Sequence, residues 1–166
     1  NLTYEGVKAM SIVEALPEIA GQTILVNGVA KTYAMTGWRV GWMVGPADAI
    51  KIAGNLQSHL SSNVNNVAQK AAVAALNGPQ TEAEQMREAF DRRRRLIVSE
   101  LSKIDGMRVP NPLGAFYVYP DVQGLLGRTW GGVTPTTSLE LADLILDQAE
   151  VAVVPGEAFG PSGYLR

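Results

Sequence analysis

Lys31 stands eight positions before Arg39 in the run Val26-Asn27-Gly28-Val29-Ala30-Lys31-Thr32-Tyr33-Ala34-Met35-Thr36-Gly37-Trp38-Arg39-Val40-Gly41. The two cations have the chemistry to hold an aldehyde and an anion. The apolar stretch Thr23-Ile24-Leu25-Val26 predicts a buried strand over 23–29. A Gly-containing loop then carries the lysine, and a second strand is predicted over 38–45. A lysine where a buried strand opens into a loop is expected to be poorly hydrated, and desolvation lowers its pKa. An amine that is partly neutral near pH 7 attacks aldehydes to form a Schiff base.

In the second predicted strand, alternation puts Trp38, Val40, Trp42 and Val44 on one face and Arg39, Gly41, Met43 and Gly45 on the other. The arginine thus shares its face with two glycines, which leave room for a bulky anion. Its planar fork binds phosphate through parallel hydrogen bonds. An imine-forming lysine beside a phosphate-binding arginine matches the two reactive ends of pyridoxal phosphate. A Lys-x7-Arg pair alone is most often two surface charges; the Thr36-Gly37-Trp38-Arg39-Val40-Gly41 context supplies the specificity.

The elements that must position these groups alternate between strand and helix. A short amphipathic stretch covers 7–16. After the second strand, Gly45-Pro46-Ala47-Asp48 opens a helix with apolar residues at Ile52, Ala53, Leu56 and Leu60. Ser61-Ser62-Asn63 interrupts it. A further helix from about Val64 carries Val67, Ala68, Ala71, Ala72, Ala75 and Leu76 and stops at Asn77-Gly78-Pro79. Thr81 and Glu84 have capping-box spacing and start a long helix to about Ile104, with Met86, Phe90, Ile97 and Leu101 on its apolar stripe. At ~1.5 Å per residue it would run ~36 Å, long enough to bridge two domains. Short strands are expected at 107–109, 115–119, 151–154 and 163–166. A Gly/Pro/Thr-rich loop covers 124–137, and a helix over 139–149 has Ser138 as its expected N-cap. The domain boundary is placed near Gly78, dividing the chain into 1–78 and 79–166.

The segment from Asn27 to Gly41 resembles the cofactor-lysine segment of class I aminotransferases, closest to the bacterial aspartate aminotransferases. The resemblance implies an α/β chain of fold type I. Residues 1–78 would be the C-terminal part of the large three-layer α/β/α domain that binds the cofactor. Residues 79–166 would be the interdomain helix and most of the small α+β C-terminal domain. It further implies that Lys31 is the catalytic lysine bound covalently to pyridoxal 5'-phosphate, and that Arg39 binds the cofactor phosphate. Gly28 departs from many relatives, which place a phosphate-binding serine three residues before the lysine. The stretch Val153-Val154-Pro155-Gly156-Glu157-Ala158-Phe159-Gly160-Pro161-Ser162-Gly163-Tyr164-Leu165-Arg166 resembles the segment ending in the arginine that holds the substrate α-carboxylate, which makes Arg166 substrate-binding. Pro112-Leu113-Gly114-Ala115-Phe116-Tyr117 matches a small-domain strand, but core aromatics on an edge strand explain Phe116 and Tyr117 equally well. Ser61-Ser62-Asn63 falls where family members contact the partner subunit's cofactor phosphate, and a helix-capping turn accounts for it as readily.

The activity so implied is ping-pong transfer of an amino group between an L-amino acid, aspartate, and a 2-oxo acid, 2-oxoglutarate. The intact protein is expected to be a cytoplasmic homodimer. An aromatic or prephenate aminotransferase is the alternative within the class. The alternative outside it is an aminotransferase-like effector domain of a transcription regulator, which needs a DNA-binding helix-turn-helix far upstream. The chain opens without an initiator methionine and is expected to be a C-terminal fragment, inactive alone, because the groups for the pyridine nitrogen and the phenolic oxygen lie upstream in relatives.

Bulk properties narrow the classes. The 166 residues are 46% apolar and 18% charged, with a formal charge of −2, which gives no reason to expect nucleic acid or an acidic membrane surface as partner. No apolar run approaches the ~18 residues of a membrane span. Without cysteine there are no disulfides or thiolate metal sites, and His59 has no second ligand nearby in sequence, so no metal is expected. Arg92 to Arg95 cannot share one helix face, since successive residues rotate by ~100°. Arg93 or Arg94 must approach the apolar stripe and either snorkel or meet a carboxylate. The acidic residues of 82–91 read as surface charge.

Overall fold

A computed structural model describes residues 2–166, which divide into two compact units, one ending at Arg87 and the other beginning at Glu88. The division falls inside a long helix, beyond the boundary expected near Gly78.

The first unit contains α1 (Ile12–Ala15), β1 (Leu25–Gly28), β2 (Gly41–Val44), α2 (Ala47–Leu60), α3 (Asn66–Asn77) and the start of α4 (Thr81–Leu101). β1 and β2 form a two-stranded antiparallel ribbon with Leu25 opposite Val44 and Gly28 opposite Gly41. Both strands are shorter than the apolar runs predict. The ladder ends at the glycine pair, where the backbones crowd together: a Cβ on Gly28 would lie 2.8 Å from the Val40 carbonyl oxygen. Before β2, Thr36–Trp38 winds into a single 3-10 turn, and Arg39 follows in the left-handed conformation at φ 55°, ψ 46°. Arg39 therefore precedes the strand. The alternation that would align it with Gly41 and Gly45 does not run through it, because a left-handed residue breaks the two-residue period.

α3 is rich in alanine, and its small side chains admit the loop between the strands. Val29 and Met35, which flank Lys31, are buried with Ala72, and Tyr33, Val40, Trp42, Ala71 and Ala75 pack around them. Asn65 caps α3 by accepting the Ala68 N–H at 3.1 Å. At the far end, the Gly78 N–H bonds the Ala74 carbonyl at 2.8 Å, as the Asn-Gly-Pro stop predicts. The expected capping box of α4 is not formed. The Glu84 N–H bonds the Gln80 carbonyl at 3.0 Å, and its carboxylate turns forward to Arg87 at 2.6 Å.

The second unit holds the rest of α4 and α5 (Ser138–Ala149). Its expected strands reduce to single bridges, Arg108 with Asp121, Asp121 with Tyr164 and Pro155 with Leu165. No ladder forms over 115–119. Ala115 at its start is left-handed at φ 61°, which breaks the extended backbone a ladder needs. The core gathers Val122, Leu125, Leu141, Ala142, Leu144 and Leu165. Thr137, not Ser138, caps α5. Its hydroxyl accepts the Glu140 N–H at 3.2 Å, while Glu140 receives the Thr136 N–H at 2.6 Å and the Thr136 hydroxyl at 2.8 Å. Those two Thr136 donors hold the Glu140 carboxyl below its ordinary range.

The arginine run resolves at Arg94, which is 6% exposed and pairs with Asp91 at 2.8 Å. It also reaches the Asn111 side chain and the Pro112 carbonyl. Asp91, 8% exposed, takes Arg95 as well, so it is not the surface charge expected of this helix. Arg95 and then Arg94 hold its carboxyl down to about 2. Arg93 lies 5.7 Å from the Phe90 ring centroid. No helix among the described residues is long and apolar enough to cross a membrane.

Candidate functional site

Lys31 lies in the turn that follows β1. The Tyr33 N–H bonds the Val29 carbonyl at 3.3 Å, and the Ala34 N–H bonds the Lys31 carbonyl at 3.2 Å. Tyr33 donates its hydroxyl to Gln80 Oε1 at 3.0 Å, fixing the turn to the segment after α3. With Val29 and Met35 buried on either side, the Lys31 backbone is held on a rigid mount. The side chain, however, is exposed, against the expectation of a desolvated amine. The physical reason is the ribbon: among the described residues only two strands pair, and their outer residues face solvent, as Val26 at 74% exposure illustrates.

Arg39 lines an open cleft of about 1000 Å³ together with Gly37, Ser61, Ser62, Asn63 and Asn65. One guanidinium N–H is donated to the Thr36 carbonyl at 2.9 Å, which folds the side chain over the 3-10 turn. The interruption between α2 and α3, with Ser62 left-handed at φ 59°, thus shares a wall with Arg39. Asn63 also serves the start of α3, donating to the Val64 carbonyl at 3.0 Å and to Asn66 Oδ1 at 3.3 Å. A guanidinium with hydroxyl and amide donors in one concavity is a donor set for an oxyanion. Lys31 is not part of that wall.

Arg166 belongs to the second unit. Its N–H and the Val154 N–H are exchanged with each other's carbonyls, both at 2.9 Å, which anchors the backbone. The guanidinium carbon lies 4.5 Å from the ring centroids of both Tyr117 and Phe159. Contact with ring faces stabilises the cation and uses none of its five N–H donors. Tyr117, to which the sequence assigned no chemistry, is therefore part of this arginine's setting, as is Phe159. The Pro-Gly-x-x-Phe-Gly pattern placed Phe159 in the excursion but gave no sign of its partner. His59 sits in the last turn of α2, and no cluster able to hold a metal occurs among the described residues.

The sequence profile described as aminotransferase class I and II matches residues 2–166. The aspartate aminotransferase of Streptomyces avermitilis is 59% identical over 166 residues, covering 100% of this chain and 41% of that protein. The aspartate/prephenate aminotransferase of Cereibacter sphaeroides is 47% identical over 151 residues, covering 90% of this chain and 38% of that protein. The crystal structure of the aspartate aminotransferase from Rhizobium meliloti matches with a TM-score of 0.94 at 40% identity, over 99% of this chain and 41% of its own. The chain thus spans about two fifths of the length of the relatives it matches.

Proposed function

The chain belongs to the aminotransferase class I and II family, and from that premise we propose that the whole protein is a pyridoxal-phosphate-dependent aminotransferase that moves the amino group of L-aspartate to 2-oxoglutarate by a ping-pong route. The intact enzyme is, in this reading, a cytoplasmic homodimer. The observation that carries the proposal is the cleft that Arg39 shares with the donors of the 61–63 turn, in the same unit as Lys31, which is mounted between buried Val29 and Met35.

These residues fit the cofactor. Arg39, Ser61, Ser62 and Asn63 offer the cation and neutral donors that a phosphate monoester requires. Lys31 supplies the primary amine for its aldehyde. Gly28 contributes no hydroxyl, so the phosphate contacts lean more on other groups, Arg39 among them. Pyridoxal phosphate, when bound, supplies an electron sink for the carbon that loses its proton.

The protein's own groups do the rest. Arg39 would hold the phosphate end of the group, and Lys31 Nζ would hold its aldehyde end. The Lys31 amine, once free, would take the proton from the substrate Cα. Arg166 grips the α-carboxylate through its fork, which sets the direction of the Cα–H bond. Tyr117 and Phe159 limit the guanidinium to one plane of approach.

A second reading is favoured by the Cereibacter sphaeroides relative, whose name couples aspartate with prephenate. Here aspartate remains the donor, and prephenate is an additional acceptor. Assaying the purified whole protein with aspartate against 2-oxoglutarate and against prephenate separates the readings. Oxaloacetate formation with 2-oxoglutarate alone supports the first, and formation with both acceptors supports the second. No transfer with either acceptor would refute the proposal.

A further inference from the structure

Ser138 opens α5 without capping it, and its side chain is fully buried at 0% exposure. Its Oγ accepts the Gly163 N–H at 2.8 Å and donates to Glu157 Oε2 at 2.7 Å, with Ser162 Oγ at 3.4 Å. The hydroxyl groups of Ser138 and, after it, Ser162 draw the Glu157 carboxyl down to about 2. The carboxylate therefore rests on the first turn of α5, a 12-residue helix whose unpaired N–H groups favour an anion there.

One buried hydroxyl thus ties both limbs of the excursion that runs from Val154 to Arg166. Glu157 is on the outgoing limb, and Ser162 and Gly163 are on the returning limb. Between them the chain closes tightly. Gly156 accepts the N–H groups of Phe159 at 2.8 Å and Gly160 at 3.0 Å, and a Cβ at 156 would lie 2.6 Å from the Pro161 carbonyl oxygen. Two groups leave this base and meet: the Phe159 ring and the Arg166 guanidinium, 4.5 Å apart. Glu157 and Ser162 are exposed residues that add nothing to the apolar core. A carboxylate bonded to a fully buried hydroxyl, yet itself placed outside the core, holds the loop in one geometry.

We propose that Glu157, latched by Ser138 and Ser162 to the start of α5, is a positioning residue that holds Phe159 against Arg166 and so presents the guanidinium to a substrate carboxylate in a single orientation. The inference rests on the assignment of Arg166 to the substrate α-carboxylate.

The test uses the whole holoenzyme, with aspartate as substrate, succinate as a non-reacting dicarboxylate, and an amine without an α-carboxylate as control. Glu157→Ala is expected to raise KM for aspartate and Kd for succinate about 10-fold, with turnover of the amine changed less than about twofold. Glu157→Gln, which keeps one acceptor oxygen but loses the charge, is expected to recover part of the affinity. Ser162→Ala removes one donor from the exposed side and is expected to shift KM about threefold in the same direction, which keeps the test decisive if Glu157→Ala fails to fold. Unchanged succinate affinity in these variants would overturn the proposal, as would equal losses for aspartate and the amine. If unmodified enzyme turned over aspartate but Arg166→Ala bound succinate normally, the Arg166 assignment would fall first and take the latch with it.

Discussion

Arg39 occupies a left-handed backbone well that costs a non-glycine residue roughly 1–2 kcal/mol, and Ala34 in the same loop is left-handed at φ 52°. A residue held there against its preference, lining an anion-suited cleft, is the pattern of strain kept for a site. The substitution Arg39→Gly separates the two effects. It should leave the thermal stability of the cofactor-free protein unchanged or higher, because the strain is relieved. It should also weaken pyridoxal phosphate binding by roughly 2–5 kcal/mol, because the phosphate loses its cation. Melting curves and a spectroscopic titration report the pair of outcomes, and unaltered cofactor affinity would remove Arg39 from the phosphate site. For Arg166, replacement by Ala should lower kcat/KM for aspartate by roughly 2–4 kcal/mol, and Lys should recover only part, since an ammonium lacks the fork. An amine substrate without an α-carboxylate should lose little; equal losses would make Arg166 structural.

At the scale of elements, two positions make stringent tests. At Gly28 any Cβ meets the Val40 carbonyl at 2.8 Å and the Gly41 Cα at 3.2 Å. Gly28→Ser should therefore destabilise the first unit by roughly 1–3 kcal/mol, because backbone rather than a flexible side chain must move. Chemical denaturation measures it, and a neutral result would show that the ribbon yields. In α4, the Asp91 carboxyl is held down from an ordinary value of 3.8 to about 2. A depressed carboxyl contributes stability that is complete above the unfolded value and is lost as pH falls through the folded one. Asp91→Asn should thus be less stable than the parent at pH 7, with the gap closing between about pH 4 and pH 2. A gap that stayed constant across that range would mean the ion pairs with Arg94 and Arg95 do not form. Helices were the legible part of the fold. The apolar spacing of α2 and α3 and the Asn77-Gly78-Pro79 stop identified both, with ends within a few residues. Strand lengths were not legible, because an apolar run does not reveal whether a partner strand runs beside it. The cap of α5 slipped by one residue because Thr136, Thr137 and Ser138 all have cap chemistry, and only the fold shows which hydroxyl is free of other duties.

Over the whole molecule, the closeness of Lys31 and Arg39 was readable because the two cations lie eight positions apart, whereas the cleft that Arg39 shares with the 61–63 turn was not. The Ser138–Glu157 latch and the Arg94–Asn111 contact were not, since each joins residues 17 or 19 positions apart through a fold that composition does not encode. Arg94 illustrates the limit well: rotation showed that one arginine of the run must turn inward, but not which. The left-handed backbone at Arg39 left no signal either, as no glycine marks it. The central claim remains the identity of the lysine that bonds the cofactor. It is tested most directly by treating the whole holoprotein with borohydride and locating the reduced pyridoxyl group by peptide mass mapping. The account predicts the group on the peptide containing Lys31, and its loss in Lys31→Ala together with nearly all amino transfer. A pyridoxyl group on Lys51, Lys70 or any other lysine of the unmodified protein, or none at all, would contradict it.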